Sequence, residues 1–105
     1  MGSGKIASQA GHAYVEAVKA GLQKEEPRTL AYLAQSPGTK VCLSAPGLEH
    51  IERLHAECLS LGIPCALITD SGHQAFFNGQ PTVTALGIAP LPQPFSLLRK
   101  LKLLP

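Results

Sequence analysis

The chain has 105 residues, which is enough for one domain with one hydrophobic core and too few for two domains that each fold alone. Its composition, 45% hydrophobic and 15% charged, excludes a disordered chain, and a net charge of +2 is too small to indicate a nucleic-acid binder by itself. No apolar run approaches the roughly 20 residues that cross a bilayer, and three unevenly spaced cysteines indicate buried thiols in a reducing compartment. We therefore expect one cytoplasmic domain over residues 1–105.

The first part of the chain predicts two helices before any strand. Pro27 stands at a favourable first position for a short second helix, which we expect to end near Ser36 to Gly38. An α/β domain normally feeds its first helix from a preceding strand, so we expect a central strand to be missing from this chain. The first helix, from residue 4 to about residue 24, is predicted to pack closely on a sheet through a narrow face of small residues at helical spacing: Ile6, Ala10, Ala13, Ala17 and Ala20.

The rest of the chain alternates strands with helices. Residues 40–45, 64–69 and 83–88 are rich in apolar and β-branched side chains, which predicts three strands. A third helix is predicted from Leu48 until Gly62 ends it, and a short last helix around Phe95 to Leu101. This order predicts an α/β fold, a three-layer α/β/α sandwich around a small mixed sheet of about four strands, with the first strand missing.

Three polar residues on the first helix are candidates for chemistry. Lys5, Gln9 and His12 have the spacing i, i+4, i+7, which places Gln9 and His12 within about 40° of Lys5 on a stripe that we expect to be turned away from the alanine face. A lysine near a helix N-terminus is poorly placed against the helix dipole, so its charge is available for a substrate or a carboxylate. The alternative is an ordinary solvated helix face, which the spacing alone favours.

Asp70 is the one aspartate of the chain, and it follows a buried strand directly. Ligands of α/β sheets bind at the carboxyl ends of strands, although an aspartate there also starts ordinary turns. Thr82 and Thr84 point to the same face of the next strand by its period of two, so one hydroxyl joins Asp70 if the two strands are neighbours. Packing is the commoner role of strand threonines, and His73 and Gln74 by themselves fit a loop surface better than a binding site.

Other chemical motifs fail on inspection. Gly2 to Lys5 is similar to the end of a phosphate-binding loop, but Ile6 stands where the Mg²⁺-binding Ser or Thr belongs. His50 and His55 point about 140° apart on a helix, and no Cys-x-x-Cys occurs. We therefore expect neither a metal nor a cofactor.

Residues 4–13 contain a Gly-Lys pair, a glutamine four residues after the lysine, and a His-Ala pair. In this combination the segment resembles the helix motif of the class II peptidyl-tRNA hydrolases of archaea and eukaryotes. The resemblance continues in order through residues 40–43, 62–64 with 67–72, 81–90 and 101–104. Five ordered blocks with suitable spacings cover nearly the whole chain.

The resemblance implies an enzyme that hydrolyses the ester between peptide and tRNA, without a cofactor, in a single domain. By position, it implies that Lys5, Gln9, Asp70 and Thr84 are catalytic. In this scheme, the aspartate positions or deprotonates the attacking water or orients the lysine, the lysine faces the oxyanion or a nearby phosphate, and the other two orient water and ester. Four further residues are candidates for substrate binding: His12, His73, Gln74 and Thr82.

The chain also departs from the family pattern. His73 and Gln74 stand where the family commonly has a basic or apolar residue and then a threonine, and the valine-rich strand expected upstream of the first helix is absent. A truncated sequence or a start assigned too late would explain the missing strand. Two alternatives stay open at this point: a catalytically impaired module that binds tRNA or a protein, and a structural unit that forms a homodimer through an unpaired sheet edge.

Overall fold

The computed structural model describes residues 2–70, 82–92 and 96–105, and of Asp70 the backbone alone. Four helices and four strands lie in this part of the chain. The predicted helices and strands are all present, with shifted ends, and residues 93–95, at the start of the last one, lie outside the described part. In chain order the elements are α1 (Ser3–Lys24), α2 (Glu26–Leu33), β1 (Leu43–Ser44), α3 (Leu48–Leu61), β2 (Cys65–Asp70), β3 (Thr82–Ile88), α4 (Ser96–Arg99) and β4 (Lys102–Leu103).

The strands pair in two antiparallel couples. β2 pairs with β3, from Cys65 opposite Ile88 to Asp70 opposite Thr82, and β1 pairs with β4. The α/β class is confirmed, but the described residues form two separate two-stranded sheets instead of one mixed sheet of about four strands. Strand β4 was not predicted, because two residues are too short for a recognisable alternation; its pairing is extended by a hydrogen bond from the Leu104 N–H to the Cys42 carbonyl oxygen, 3.0 Å long.

Helix α1 packs on β3 through side chains of minimal size. Its buried residues recur every four positions, and Gly87 of β3 lies directly under them. A Cβ atom at Gly87 would collide with the Ala13 carbonyl oxygen and would lie 3.1 Å from the Ala17 Cβ. The strand backbone at Gly87 therefore lies so close to the helix backbone at Ala13 that only glycine fits there. The row consists of Gln9, Ala13, Ala17 and Gly21.

Helix α3 packs against β2 and β3 and contributes the other part of the core. Leu54 and Cys58 are buried on the inward side of the helix, and Gly62 ends it in the left-handed conformation, at a φ of 69°. Burial and the neighbouring Cys65 thiol raise the pKa of Cys58 to about 12. Cys58 is therefore a neutral packing residue at physiological pH, in agreement with the expected buried thiol.

We predict that Gly87→Ala destabilises the fold by roughly 1–3 kcal/mol, since the new methyl group must push α1 away from β3. The matched control is Gly11→Ala on the exposed side of α1, where a Cβ meets nothing within 4 Å. That change should stabilise the chain by about 0.5–1 kcal/mol, because alanine is the better helix former. Urea unfolding of the two variants measures the difference, and equal responses would refute the proposed steric limit.

Candidate active site

One side-chain hydrogen bond joins α1 to β3 near the N-terminal end of both elements. The Thr84 hydroxyl donates to the side-chain oxygen of Gln9. It also lies 3.4 Å from the Ile68 carbonyl oxygen, a longer and weaker contact. Gln9 is only 6% exposed, and Thr84 is half-buried. Because Gln9 accepts through its oxygen, its two amide N–H donors are left for other partners.

An irregularity in β3 explains how Thr84 reaches the helix. The strand register runs from Ile68 opposite Ala85 to Thr69 opposite Val83, so Thr84 is an extra residue with no partner on β2. Gly87 faces α1, and regular alternation would therefore direct Ala85 and Val83 toward the helix and Thr84 away from it. The extra residue resets this alternation, as a β-bulge does, and turns the Thr84 hydroxyl toward Gln9.

Helix α1 and strand β3 run in the same direction. Gln9 bonds Thr84, and farther along both elements Ala13 and Ala17 contact Gly87. A Cβ atom added at Gly21 would lie 3.3 Å from the Ala89 Cβ. The helix advances about 18 Å over this interval and the strand about 16 Å, so the two elements stay in step.

The same geometry locates the start of the helix. Lys5 precedes Gln9 by one turn, about 6 Å, and Thr82 precedes Thr84 by two residues, about 6–7 Å. Both residues are half-buried, and Thr82 is the backbone partner of Asp70. The backbones of Lys5, Thr82 and Asp70 therefore come to one end of the β2–β3 pair, next to the Gln9–Thr84 contact. The Asp70 carboxylate itself lies outside the described part of the structure.

The prediction of a polar stripe turned away from the alanine face is wrong for Gln9. This residue is buried on the same face as Ala13 and Ala17, because the threonine hydroxyl satisfies its amide oxygen there. His12 is exposed, as expected of a solvated stripe. The predicted contacts of His73 and Gln74 lie outside the described residues.

Sequence reasoning missed Gly87 as a residue that shapes the site. A glycine inside a strand is the available signal, since it often marks a close approach of another backbone. Within residues 2–70, 82–92 and 96–105 no three His, Cys, Asp or Glu side chains form a cluster that could hold a metal ion. No helix in the same part of the chain is long and apolar enough to span a membrane.

Comparison with known proteins decides the family. The family model described as peptidyl-tRNA hydrolase PTH2 matches residues 1–104. The chain belongs to this peptidyl-tRNA hydrolase family. The expectation from the sequence motifs is thereby confirmed.

The relatives include proteins of archaea and of animals. A peptidyl-tRNA hydrolase of Pyrobaculum aerophilum is 38% identical over 88 residues, which are 83% of this chain and 73% of the relative. That of Aeropyrum pernix is 32% identical over 93 residues, or 86% of this chain and 75% of the relative. The mitochondrial peptidyl-tRNA hydrolase 2 of Homo sapiens is 36% identical over 90 residues, and this chain covers 50% of its length.

We predict that the Gln9–Thr84 pair is energetically coupled. Thr84→Val leaves the buried Gln9 oxygen without its donor and should cost roughly 1–3 kcal/mol of unfolding free energy, whereas Thr39→Val at an exposed threonine should change it by less than about 0.5 kcal/mol. The double variant Gln9→Met, Thr84→Val removes both polar groups and should recover most of the loss. Denaturant unfolding of the unmodified chain, the single variants Thr84→Val and Gln9→Met and the double variant gives the coupling energy. Strictly additive changes in the free energy of unfolding would mean that the hydrogen bond does not form.

Proposed function

We propose that this chain hydrolyses the ester that joins a peptide to the 3′ end of tRNA. The family match over residues 1–104 supports this reaction, and the relatives named above carry peptidyl-tRNA hydrolase as their name. The observation on which the site assignment rests is the buried hydrogen bond between Gln9 and Thr84. It fixes two polar groups beside the end of the β2–β3 pair to which the backbones of Lys5 and Asp70 also come.

In the proposed mechanism, a water molecule attacks the ester carbonyl carbon. A C–O bond forms, the carbonyl oxygen becomes an oxyanion, and the bond to the 3′ oxygen of the ribose then breaks. The proton given up by the water ends on that ribose oxygen, so the products are a peptide carboxylic acid and a tRNA with an intact 3′ hydroxyl. Neither a covalent enzyme intermediate nor a metal is part of this scheme.

Each proposed residue has one task. Asp70 positions the attacking water and receives its proton, and the Lys5 ammonium stabilises the oxyanion. Because Thr84 donates its hydrogen to Gln9, the hydroxyl oxygen keeps lone pairs that accept a hydrogen bond from the water. The amide N–H groups of Gln9 hold the ester or the water from the other side.

Four more residues are proposed to contact the substrate. Thr82 is half-buried beside Asp70 on β3, and His12 is exposed one turn after Gln9 on α1. Thr82 lies at the end of the β2–β3 pair where Asp70 lies, and His12 stands three residues past Gln9 on α1. His73 and Gln74 follow Asp70 closely in the chain, and their role rests on this position alone, because both depart from the family pattern.

The wider architecture is also a proposal. We propose one domain over residues 1–105, in which the two strand pairs belong to a single mixed sheet between helix layers, with a further strand completing it. About a quarter of the length of the two archaeal relatives lies outside the match, which is room enough for such a strand. The unpaired edges of the two sheets suit a homodimer.

Three free thiols suit a reducing compartment, for which we propose the cytoplasm, although the human relative is mitochondrial.

We predict that Lys5→Ala and Asp70→Asn each lower the hydrolysis of an N-acetyl-aminoacyl-tRNA by about 10²-fold or more, while the fold persists. The control is Lys19→Ala, which removes another lysine of α1 from an exposed pair with Glu16, 3.1 Å long, and should leave the rate unchanged. Release of the N-acetyl-amino acid measures activity, and circular dichroism checks the fold.

The outcome separates the proposal from its rivals. Turnover of both variants at the rate of Lys19→Ala would remove Lys5 and Asp70 from the mechanism. An unmodified chain that binds the aminoacylated tRNA and leaves its ester intact would be a binding module of the same family.

A further inference from the structure

A groove lies at the opposite end of β3 from the proposed catalytic residues. Its volume is about 220 Å³. Helix α2 and the turn after it form one wall, and the segment that follows β3 forms the other. We propose that this groove binds an unpaired nucleotide of the tRNA 3′ end, upstream of the terminal adenosine. The inference rests on the proposed hydrolysis of peptidyl-tRNA. The lining residues are Arg28, Ala31, Tyr32, Gln35, Pro90, Leu91 and Pro92.

The wall formed by α2 and the turn after it presents groups suited to a nucleotide. Arg28, Ala31 and Tyr32 are spaced i, i+3, i+4 on α2 and form one stripe, and Gln35 lines the groove from the turn that follows. The stripe offers a guanidinium for phosphate or base, an aromatic ring, and an amide that both donates and accepts hydrogen bonds. Aromatic rings together with arginines are the usual means of holding single-stranded nucleic acid, since every base has a face that stacks.

The Tyr32 ring is held in place by the loop that follows α2. A Cβ atom at Gly38 would lie 2.7 Å from two atoms of the ring, so the loop backbone packs directly against it. The Lys40 Nζ lies 5.6 Å from the ring centroid and donates a hydrogen bond to the Gly38 carbonyl oxygen, 3.1 Å long. The ring is thus oriented before any ligand arrives, and a second cation stands next to it.

The charge of the groove is complementary to a nucleotide. None of the seven lining residues is acidic, Arg28 is exposed, and the Lys40 ammonium extends the positive charge past Tyr32. The opposite wall of two prolines and a leucine is apolar and suits the flat face of a base. A purely apolar ligand would leave the cationic surface unused, and a small, strongly hydrated anion would leave the apolar wall unused.

The location specifies which nucleotide is bound. Pro90 follows Thr84 by six positions of nearly straight chain, a distance of about 20 Å. This is too far for the terminal adenosine, which carries the ester, and within the reach of the unpaired nucleotides that precede it. The groove therefore contacts the tRNA part of the substrate, whereas the proposed catalytic end contacts the ester.

The test compares a full substrate with a truncated one. N-acetyl-aminoacyl-tRNA contains the upstream nucleotides, and N-acetyl-aminoacyl-adenosine lacks them. For Arg28→Ala, we expect the ratio of kcat/KM for tRNA to kcat/KM for adenosine to fall about fivefold, the loss of a contact worth about 1 kcal/mol. The effect should lie in KM and should be repeated by Gln35→Ala. Arg53→Ala, which removes an exposed arginine of α3, is the matched control and should keep the ratio of the unmodified chain.

Each result decides between ligands. An unchanged ratio in both Arg28→Ala and Gln35→Ala would overturn the proposal, and equal losses on the two substrates would assign the groove to the peptide part instead. If the unmodified chain hydrolyses neither ester, the proposed function fails. Binding of uncharged tRNA then tests the groove separately: tRNA with its 3′ end should bind more tightly than tRNA trimmed of its unpaired nucleotides, and Arg28→Ala should abolish this difference. Equal binding of the two tRNAs would count against the groove.

Discussion

The contact between helix α1 and strand β3 is the constraint on which the rest of the structure depends. Gly87 has no side chain because the Ala13 carbonyl oxygen and the Ala17 methyl group occupy the space a side chain would need. This contact fixes the height of the helix above the strand, and the matching rise of both elements fixes their relative position along β3. A helix held farther away would leave the Gln9 amide and the Thr84 hydroxyl beyond hydrogen-bonding distance.

A buried glutamine is costly unless its polar atoms are bonded, and its presence in the α1 row therefore calls for an explanation beyond packing. Ala13 and Ala17 in the same row show that small apolar residues fill the contact between α1 and β3 well. Gln9 instead accepts a hydrogen bond from Thr84, the extra residue at the bulge. This bond places an oriented amide and an oriented hydroxyl near the start of the contact between α1 and β3. Fixed polar groups of this kind stabilise developing charge better than mobile ones, because they need no rearrangement during the reaction.

The sequence predicted the helices, the strands β2 and β3 and the end of α3, because periodicity, Pro27 and Gly62 are local signals. It predicted Ala13 and Ala17 in the core for the same reason. It could not predict the burial of Gln9, since the cost of burying an amide depends on a hydroxyl 75 residues away in the chain. The prediction of strand pairing failed for a similar reason. Strand β4 has two residues, and its pairing with β1 depends on tertiary contacts rather than on alternation. The family resemblance nevertheless named Gln9 and Thr84 together, and the structure joins them by a hydrogen bond.

Strand β3 connects the two functional proposals physically. At the start of β3, the bulge turns the Thr84 side chain toward Gln9. The strand then continues regularly past Gly87, and Gly87 and the following Ala89 both lie under α1. At its end, Pro90 and its neighbours form a wall of the groove that contains Tyr32. A strand packed this tightly cannot shorten or lengthen, so the two ends keep a constant separation. A substrate with an ester at one end and a nucleotide at the other would be selected by length as well as by chemistry, and the ester would be oriented before water attacks it.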